Sequence, residues 1–412
     1  FSADCYRKVQ LAEKEREMKL TEETPFFFIY SVWTKNGEYR EQVKRLVTDY
    51  DNYISLKLAG DDAYLSEKMV GYPAELDEVY AENFEEQKKE WFSCVGDGIQ
   101  ECRNTWEHKK WNITDFPEFE LAITIDRPEL YYDFLQKDWT RFCHDYWKNN
   151  FLEHHTLSQK RVTRIYIGNQ FCHNLFPRKE LLFQVLEKAL ENNLAVTLAF
   201  SYIRNHLLEE IDELLQELEV WCQSREKEAG KDQEEIIVND WAMPILLQGK
   251  PHLKPVLGVL LNKRRKDVRL PYKHGIGNHV DSLAENNLNC GFYQDYLKNT
   301  FDIQRFEFES CGYKVTIPDG HHSLHLPFFQ TNTSQYCTLY AVCRYGDRGK
   351  QKLPENCPRY CNKKVFLYPK HLKMVGRYNS LFGYDEKILW DEKQLQDYLE
   401  QGIDRIVVNV SL

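Results

Sequence analysis

The sequence predicts an α/β protein. Parallel β-strands joined by helical crossovers fill residues 161–412, behind a separate, mixed and mainly helical N-terminal domain over residues 1–160. Three observations predict this. After residue 160, short β-branched runs alternate with segments of helical period. A charge step falls at the same point: Lys and Arg set against Asp and Glu leave about −11 before it and about +1 after it. An aromatic step coincides, since Trp33, Trp91, Trp106, Trp111, Trp139 and Trp147 all precede it, out of nine Trp in the chain.

In the N-terminal part, Tyr6 to Leu20 reads as a helix and Phe26 to Val32 as a strand. Helical stretches follow at Glu38 to Asp51 and, with an acidic surface, at Ala74 to Val95. Phe119 to Ile125 is a strand candidate, and Asp133 to Phe151 a helix carrying Phe134, Trp139, Phe142 and Trp147. No catalytic motif occurs here; the acidic, Trp-rich character suits docking or partner binding.

From residue 161 the units are clearer. Val162 to Ile167 is β-branched and ends in Gly168-Asn169. Arg178 to Glu191 places Leu182, Val185, Leu186, Ala189 and Leu190 at helical spacing, and Asn192-Asn193 stops it. Ala195 to Phe200 is the next strand, and Asn205 can cap a long amphipathic helix running to Cys222. Glu235 to Val238 is a third strand, followed by Asn239-Asp240. Tyr293 to Thr300 reads as a helix leading into a strand at Ile303 to Phe308. The helix Lys393 to Gln401, Gly402 and the strand Arg405 to Val410 repeat the unit at the end. A barrel of this kind presents reactive groups just beyond its C-terminal strand ends. Asn169, Asn239 and Asp240 occupy such positions and are candidates to orient a substrate.

The totals exclude several classes. With 42% hydrophobic and 29% charged residues, the chain is not intrinsically disordered. Its longest apolar run, Phe26 to Trp33, falls far short of the roughly 20 residues that cross a bilayer. Phe1 to Leu20 is too polar for an export signal, so a soluble, cytoplasmic protein is expected, with no membrane partner. A net charge of −10 does not suit a general nucleic-acid binder. The one basic run, Lys263 to Lys266, reads as a solvated helix end.

Of twelve cysteines, four crowd together as Cys337, Cys343, Cys357 and Cys361. Thiolate metal ligation is the better reading in a chain without an export signal. Zinc knots usually carry paired C-x2-C halves, which are missing here, so an iron–sulfur cluster is favoured and zinc is the alternative. A further ligand can come from a separate barrel loop, and Cys172 lies just past the strand at Val162 to Ile167. His321, His322 and His325 follow the Pro318-Asp319-Gly320 turn and read as packing or hydrogen-bonding residues rather than ligands. His154-His155 reads as linker. No G-x-S-x-G, H-E-x-x-H or Walker sequence occurs.

Together these motifs resemble the peptidase U-32, or collagenase-like, family over about residues 161–412. Arg164-Ile165-Tyr166-Ile167-Gly168-Asn169-Gln170-Phe171-Cys172 resembles its opening strand and loop. Ile236 to Trp241 is similar to its third strand, and Pro255 to Arg265 to the segment after it. Thr331 to Cys337 and Cys357 to Cys361 resemble its cysteine-bearing region, and Leu399 to Val410 its closing helix and strand. The resemblance implies an irregular or incomplete (β/α) TIM-like barrel with a 4Fe-4S cluster on Cys172, Cys337, Cys357 and Cys361. Cys343 competes with Cys337 for one of those places. It is nearest the single-barrel members that hydroxylate ubiquinone precursors without oxygen as heterodimers. That implies oxygen-independent hydroxylation of a small molecule or macromolecule, with a heteromeric partner of the same family. A non-catalytic, cluster-bearing subunit is the first alternative, and a peptidase acting on a peptide substrate the second, although no nucleophile for cleavage is visible.

Overall fold

The structure, a computed structural model, describes residues 16–23, 28–41, 83–93, 116–229, 234–268, 283–347, 349–350, 352–354, 356–368 and 373–410. It begins with an antiparallel hairpin, β1 (Arg16–Glu23) and β2 (Phe28–Thr34), which pairs Met18 with Val32 and Leu20 with Tyr30. The helix expected over Tyr6 to Leu20 is therefore a strand from Arg16 onward, because the β-branched and aromatic partner strand supplies a ladder; its earlier part lies outside the described residues. Of the helix expected at Glu38 to Asp51, residues 37–41 are helical and the rest lies outside. The acidic helical region is described only as α1 (Asn83–Ser93). That helix buries Phe84, Trp91 and Phe92, stacking Trp91 on Tyr384 at 5.2 Å. Its Lys88 Nζ donates to Asn150 Oδ1 at 2.7 Å and to the Val410 carbonyl.

Eight parallel strands then form a nearly closed, barrel-like sheet: β3 (Glu120–Ile125), β4 (Arg164–Ile167), β5 (Ala195–Ala199), β6 (Glu234–Val238), β7 (Leu253–Leu257), β8 (Glu307–Glu309), β9 (His322–Leu326) and, last in the chain, β14 (Ile403–Val408). Each pairs with its neighbour in chain order, and β14 returns to lie between β9 and β3. The ring is completed between β7 and β8 by a single bridge, Leu257 to Phe306, with Leu257 N–H donating to the Arg305 carbonyl at 3.0 Å.

Helices cover the outside: α2 (Pro128–Gln136) and α3 (Trp139–Asn149) after β3, α4 (Lys179–Glu191) after β4, α5 (Leu208–Ala229) after β5, α6 (Ala242–Leu246) after β6, and α7 (Gly291–Phe301) before β8. The apolar stripe of α4 explains why it sits there, since Leu182, Val185, Leu186 and Ala189 are all buried against the sheet. No helix separates β8 from β9, which makes the barrel irregular.

The division expected at residue 160 does not follow the sheet. Glu120–Ile125, with α2 and α3, is part of the barrel, because β3 hydrogen-bonds both β4 and β14. The single helix expected over Asp133 to Phe151 is two, since Lys137 is extended and the Asp138 side chain caps a new helix by accepting Arg141 N–H at 2.9 Å. The strand expected at Ile303 to Phe308 is displaced to Glu307–Glu309.

Between β9 and β14 the chain inserts a second, antiparallel sheet. It comprises β10 (Phe328–Thr333), β11 (Phe366–Leu367), β12 (Met374–Arg377) and β13 (Ser380–Tyr384), in the order β10-β13-β12-β11. Helix α8 (Thr338–Tyr345) lies within this insertion and α9 (Glu392–Glu400) follows it. The region from Cys337 to Cys361 contains this helix, although Gly349, Pro354 and Pro358 suit irregular backbone better than a helix. The insertion leaves from the C-terminal end of β9, at the rim where a barrel carries its chemistry. No helix among the described residues is long and apolar enough to cross a membrane.

Candidate functional site

The loop after β4 starts at Gly168, whose φ of +107° suits glycine; a Cβ there would meet the Ala199 carbonyl at 2.6 Å. Asn169 then folds the loop back. Its Oδ1 accepts the backbone N–H groups of Phe171 and Cys172, both at 2.9 Å, and its Nδ2 donates to the Asp126 carbonyl at 3.3 Å. This fixes the direction in which Cys172 leaves the barrel rim.

The insertion supplies the other sulfurs. Cys337 caps α8: its Sγ accepts Tyr340 N–H at 3.3 Å and donates to the Tyr378 carbonyl at 3.0 Å. Cys361 sits in the 3-10 turn Tyr360–Asn362, entered through Arg359 in the left-handed region, and its carbonyl accepts from Arg377 Nε at 3.0 Å. Cys357 lies on the wall of a cleft of ≈ 1080 Å³, together with His173, His206 and Arg359.

The loop that carries Cys172 and the insertion that carries Cys337, Cys357 and Cys361, well over a hundred residues apart in order, thereby converge. Each of the six pairs among Cys172, Cys337, Cys357 and Cys361 is close enough for one sulfur to perturb another's ionisation. Burial is the larger effect. It pushes the Cys172 thiol up to about 11 and the Cys361 thiol up to about 12, and raises Cys337 as well, so these groups are neutral thiols in the absence of a cation. Cys343 stands apart. Burial raises its thiol, and the charge that acts on it is Lys364. The described residues contain no group of three or more His, Cys, Asp or Glu side chains already drawn in to metal-ligating spacing. As a donor set, four converging sulfurs, Cys361 buried and the others half-buried, with no carboxylate among them fit a soft centre, an iron–sulfur cluster or zinc. Cys143, Cys222, Cys290 and Cys311 are dispersed through the core, while Cys5, Cys94 and Cys102 lie outside the described residues.

The polar residues singled out at strand ends are spent on structure. Asn239 Nδ2 donates to the Phe200 carbonyl at 2.7 Å and its Oδ1 accepts Leu260 N–H at 3.1 Å. Asp240 Oδ1 accepts the N–H groups of Ala242 and Met243, both at 3.0 Å, and its Oδ2 accepts Ile203 N–H. With Asn169 they lock rim loops together; their hydrogen bonds go to the chain itself. The run Lys263 to Lys266 is likewise not a solvated helix end. Lys266 Nζ pairs with Glu309, and Arg264 donates to Cys311 Sγ at 3.1 Å and to the Glu309 carbonyl. The reason is a carboxylate inside the barrel that needs a cation.

Of the histidines, His321 is exposed beside Asp404 and His322 stacks on Phe306 at 4.8 Å, whereas His325 points into the barrel. His155 is not free linker: it is buried, donating to the Leu389 carbonyl at 2.7 Å and accepting Leu157 N–H at 3.1 Å.

The sequence reading missed the charged barrel interior. Inward positions of the strands hold Ala122, Tyr166, Ala199, Ile237, Val256 and Val407 as a small apolar cluster distinct from the outer core. Below it Arg405 donates to Glu120 at 2.6 Å and to Glu235 at 2.7 and 3.0 Å, while Arg164 donates to Glu120 at 2.9 Å. Tyr166 Oη donates to the Glu307 carboxylate at 3.1 Å, and His325 Nε2 hydrogen-bonds the same carboxylate. Burial alone would raise Glu307, but the His325 hydrogen bond and the Arg405 charge outweigh it and leave its pKa lowered. The signal available was the inward alternation in RIYI and in DRIVV, where Arg and Tyr take positions that apolar residues fill elsewhere. In comparison with known proteins, the chain matches no family model, no curated protein and no solved structure.

Proposed function

We propose that the chain is an iron–sulfur-dependent enzyme of oxygen-independent modification, with hydroxylation of a small-molecule or macromolecular substrate as the reaction class. The observation that carries this reading is the approach of Cys172, from the loop after β4, to Cys337, Cys357 and Cys361 of the insertion, at the C-terminal rim of a parallel barrel. These four residues would hold a 4Fe-4S cluster, which supplies electron transfer or a Lewis-acidic iron when bound. The chain's own residues do the positioning. Asn169 fixes the Cys172 loop, Cys337 is anchored through α8 and the Tyr378 carbonyl, and Arg377 holds the Cys361 turn. The cleft beside Cys357 offers an approach for a substrate. Likeness of the sequence motifs to the U-32 family supports the same reaction class.

Anaerobic purification followed by iron and acid-labile sulfide analysis, with absorption spectroscopy, tests the reading. Iron, sulfide and a sulfur-to-iron charge-transfer band are expected. Their absence sinks it, and colourless protein carrying stoichiometric zinc replaces the cluster with a zinc site.

A second reading, a cluster-bearing subunit that is not itself catalytic, is favoured by an aromatic patch on the outer surface. Trp241, 41% exposed, makes ring contacts with Tyr293, Tyr296 and Phe301, and Ile245 beside it is 59% exposed. A Cys357→Ser protein that folds but has lost activity supports the enzyme. Loss of folding, with no activity in the isolated wild-type chain, supports the subunit.

A further inference from the structure

Helix α1 turns one stripe inward. Phe84, Gln87, Lys88, Trp91 and Phe92 are buried at helical spacing, while Glu85, Glu86, Lys89 and Glu90 are exposed. The stripe lies across two parts of the molecule. Its last turn rests on the insertion: Trp91 and Phe92 each set a ring 5.2 Å from that of Tyr384 in β13, and the Tyr384 hydroxyl donates to the Trp91 carbonyl at 2.9 Å. Its middle rests on the barrel, where Lys88 Nζ donates to Asn150 at the end of α3 and to the Val410 carbonyl just past β14. Its first turn reaches the cysteine site. The Arg377 guanidinium stands 5.9 Å from the Phe84 ring and 5.5 Å from the Tyr378 ring, and Arg377 Nε donates to the Cys361 carbonyl at 3.0 Å.

Two of these inward side chains are polar, and both weaken the docking. Gln87 is 5% exposed, with its Oε1 buried and unpaired. Lys88 is 2% exposed, and the oxygens it bonds are an amide and a backbone carbonyl rather than carboxylates. The charges facing it are mixed: Glu85 on α1 and Asp126 after β3 attract it, whereas Arg127 before α2 and Arg377 on β12 repel it. Burial outweighs them all and brings the amine down to about 7 from 10.5. A stripe of this composition docks less tightly than an apolar one of the same shape.

We propose that α1 is a detachable strap that clamps the insertion to the barrel and, through Phe84 and Arg377, holds the Cys361 turn, with Lys88 making the grip depend on pH. Phe84 and Arg377 are thus positioning residues for Cys361. The sign follows from proton uptake. Released, Lys88 is solvated and keeps its proton up to about pH 10.5; docked, it gives the proton up above about pH 7. The released form carries more protons between those values, so docking strengthens as pH rises through that window and is level below it. From pH 6.5 to 8.5 the gain is roughly 25-fold. The strap needs no metal, and it stands whether or not the cysteines hold a cluster.

Hydrogen exchange of the full chain, read by mass spectrometry at pH 6.5 and 8.5 and corrected for the intrinsic rate at each, tests the strap. Amides of α1 should exchange faster than those of β3 and β14. Their protection should rise roughly 25-fold in the wild type and stay level in Lys88→Met. Exchange of α1 together with the barrel strands, a wild type without the rise, or the same rise in Lys88→Met overturns the proposal. Iodoacetamide labelling at pH 7 tests the tie to the cysteines. Phe84→Ala and Arg377→Met should each label Cys361 about tenfold faster than the wild type, while Cys311, buried elsewhere, stays slow. Cys361 no faster than wild type in either variant, or Cys311 equally fast in both, overturns that tie. Iron analysis of the wild type decides the cluster separately, so the two ideas fail independently.

Discussion

Arg405→Met attacks the centre of the barrel. Arg405 is 2% exposed and bonds two carboxylates, Glu120 of the adjacent strand β3 and Glu235 of β6, which is not a neighbour of its own strand. Burial alone would raise Glu235; Arg164 and Arg405 more than offset it and hold its carboxyl at about 2, against an ordinary 4.5. At about 1.4 kcal/mol per pH unit, that depression amounts to roughly 3 kcal/mol of folded-state stabilisation. Removing one partner of a buried ion pair costs about 3–5 kcal/mol, of the same size. The sign follows from proton uptake. The folded state holds fewer protons on Glu235 than the unfolded state between pH 4.5 and 2, so the contribution is complete above pH 4.5 and lost as pH falls toward 2. Urea unfolding of wild type and variant should show a midpoint shift corresponding to about 3–5 kcal/mol at pH 7, narrowing below pH 4.5. Adding Glu235→Gln to the variant should recover part of the loss, because the stranded charge is gone. A loss under about 1 kcal/mol at pH 7, or no recovery in the double variant, refutes the assignment of Arg405 as the network's central cation.

Three further outcomes are expected. Serine at Cys172, Cys337, Cys357 or Cys361 should each remove most of the iron and the charge-transfer band, whereas Cys343→Ser should retain both, as measured by metal analysis of anaerobic protein. Gly168→Ala forces a side chain into the Ala199 carbonyl and the Phe176 ring at 2.6–2.7 Å and into a φ of +107°. It should cost roughly 2–4 kcal/mol in thermal or urea unfolding and displace the loop that carries Cys172. Burial pushes His155 down to about 4 from 6.5, so the folded state holds fewer protons between those values. Its contribution is full above pH 6.5 and is lost as pH falls toward 4, by about 2 kcal/mol at pH 5. Tm measured across that window should fall less steeply in His155→Gln.

How much of this was legible in the sequence depends on which way each side chain faces. Strands such as Ile236-Ile237-Val238 and helices such as Lys179–Glu191 announce themselves, because apolar periodicity records burial against the outer shell. The strand His322–Leu326 does not, since its inward residues are Ser323 and His325, whose burial is compensated by Arg405 from a strand remote in order and by Glu307 from the adjoining strand. The same cause hid Lys266 and Arg264, whose partner Glu309 is known only once the ring is formed. The antiparallel insertion was missed because its strands are short and depend on pairing residue 328 with residue 384. The cysteine set was readable as chemistry. Cys337 and Cys343 compete for one place in the sequence, whereas in the fold Cys337 stands at the start of α8, within electrostatic reach of the other three, and Cys343 feels only the Lys364 charge.

The junction of Leu253–Leu257 with Glu307–Glu309 is the thinnest stave joint in the cask. Every other pair of adjacent strands is stitched by at least three residue positions, and this one by a single bridge. A ring so built has a preferred place to gape. When the girth must grow to admit something at the rim, the cheapest deformation parts that joint and leaves the remaining stitching intact. Amide protons flanking Leu257 and Phe306 are then the first to trade with solvent deuterium.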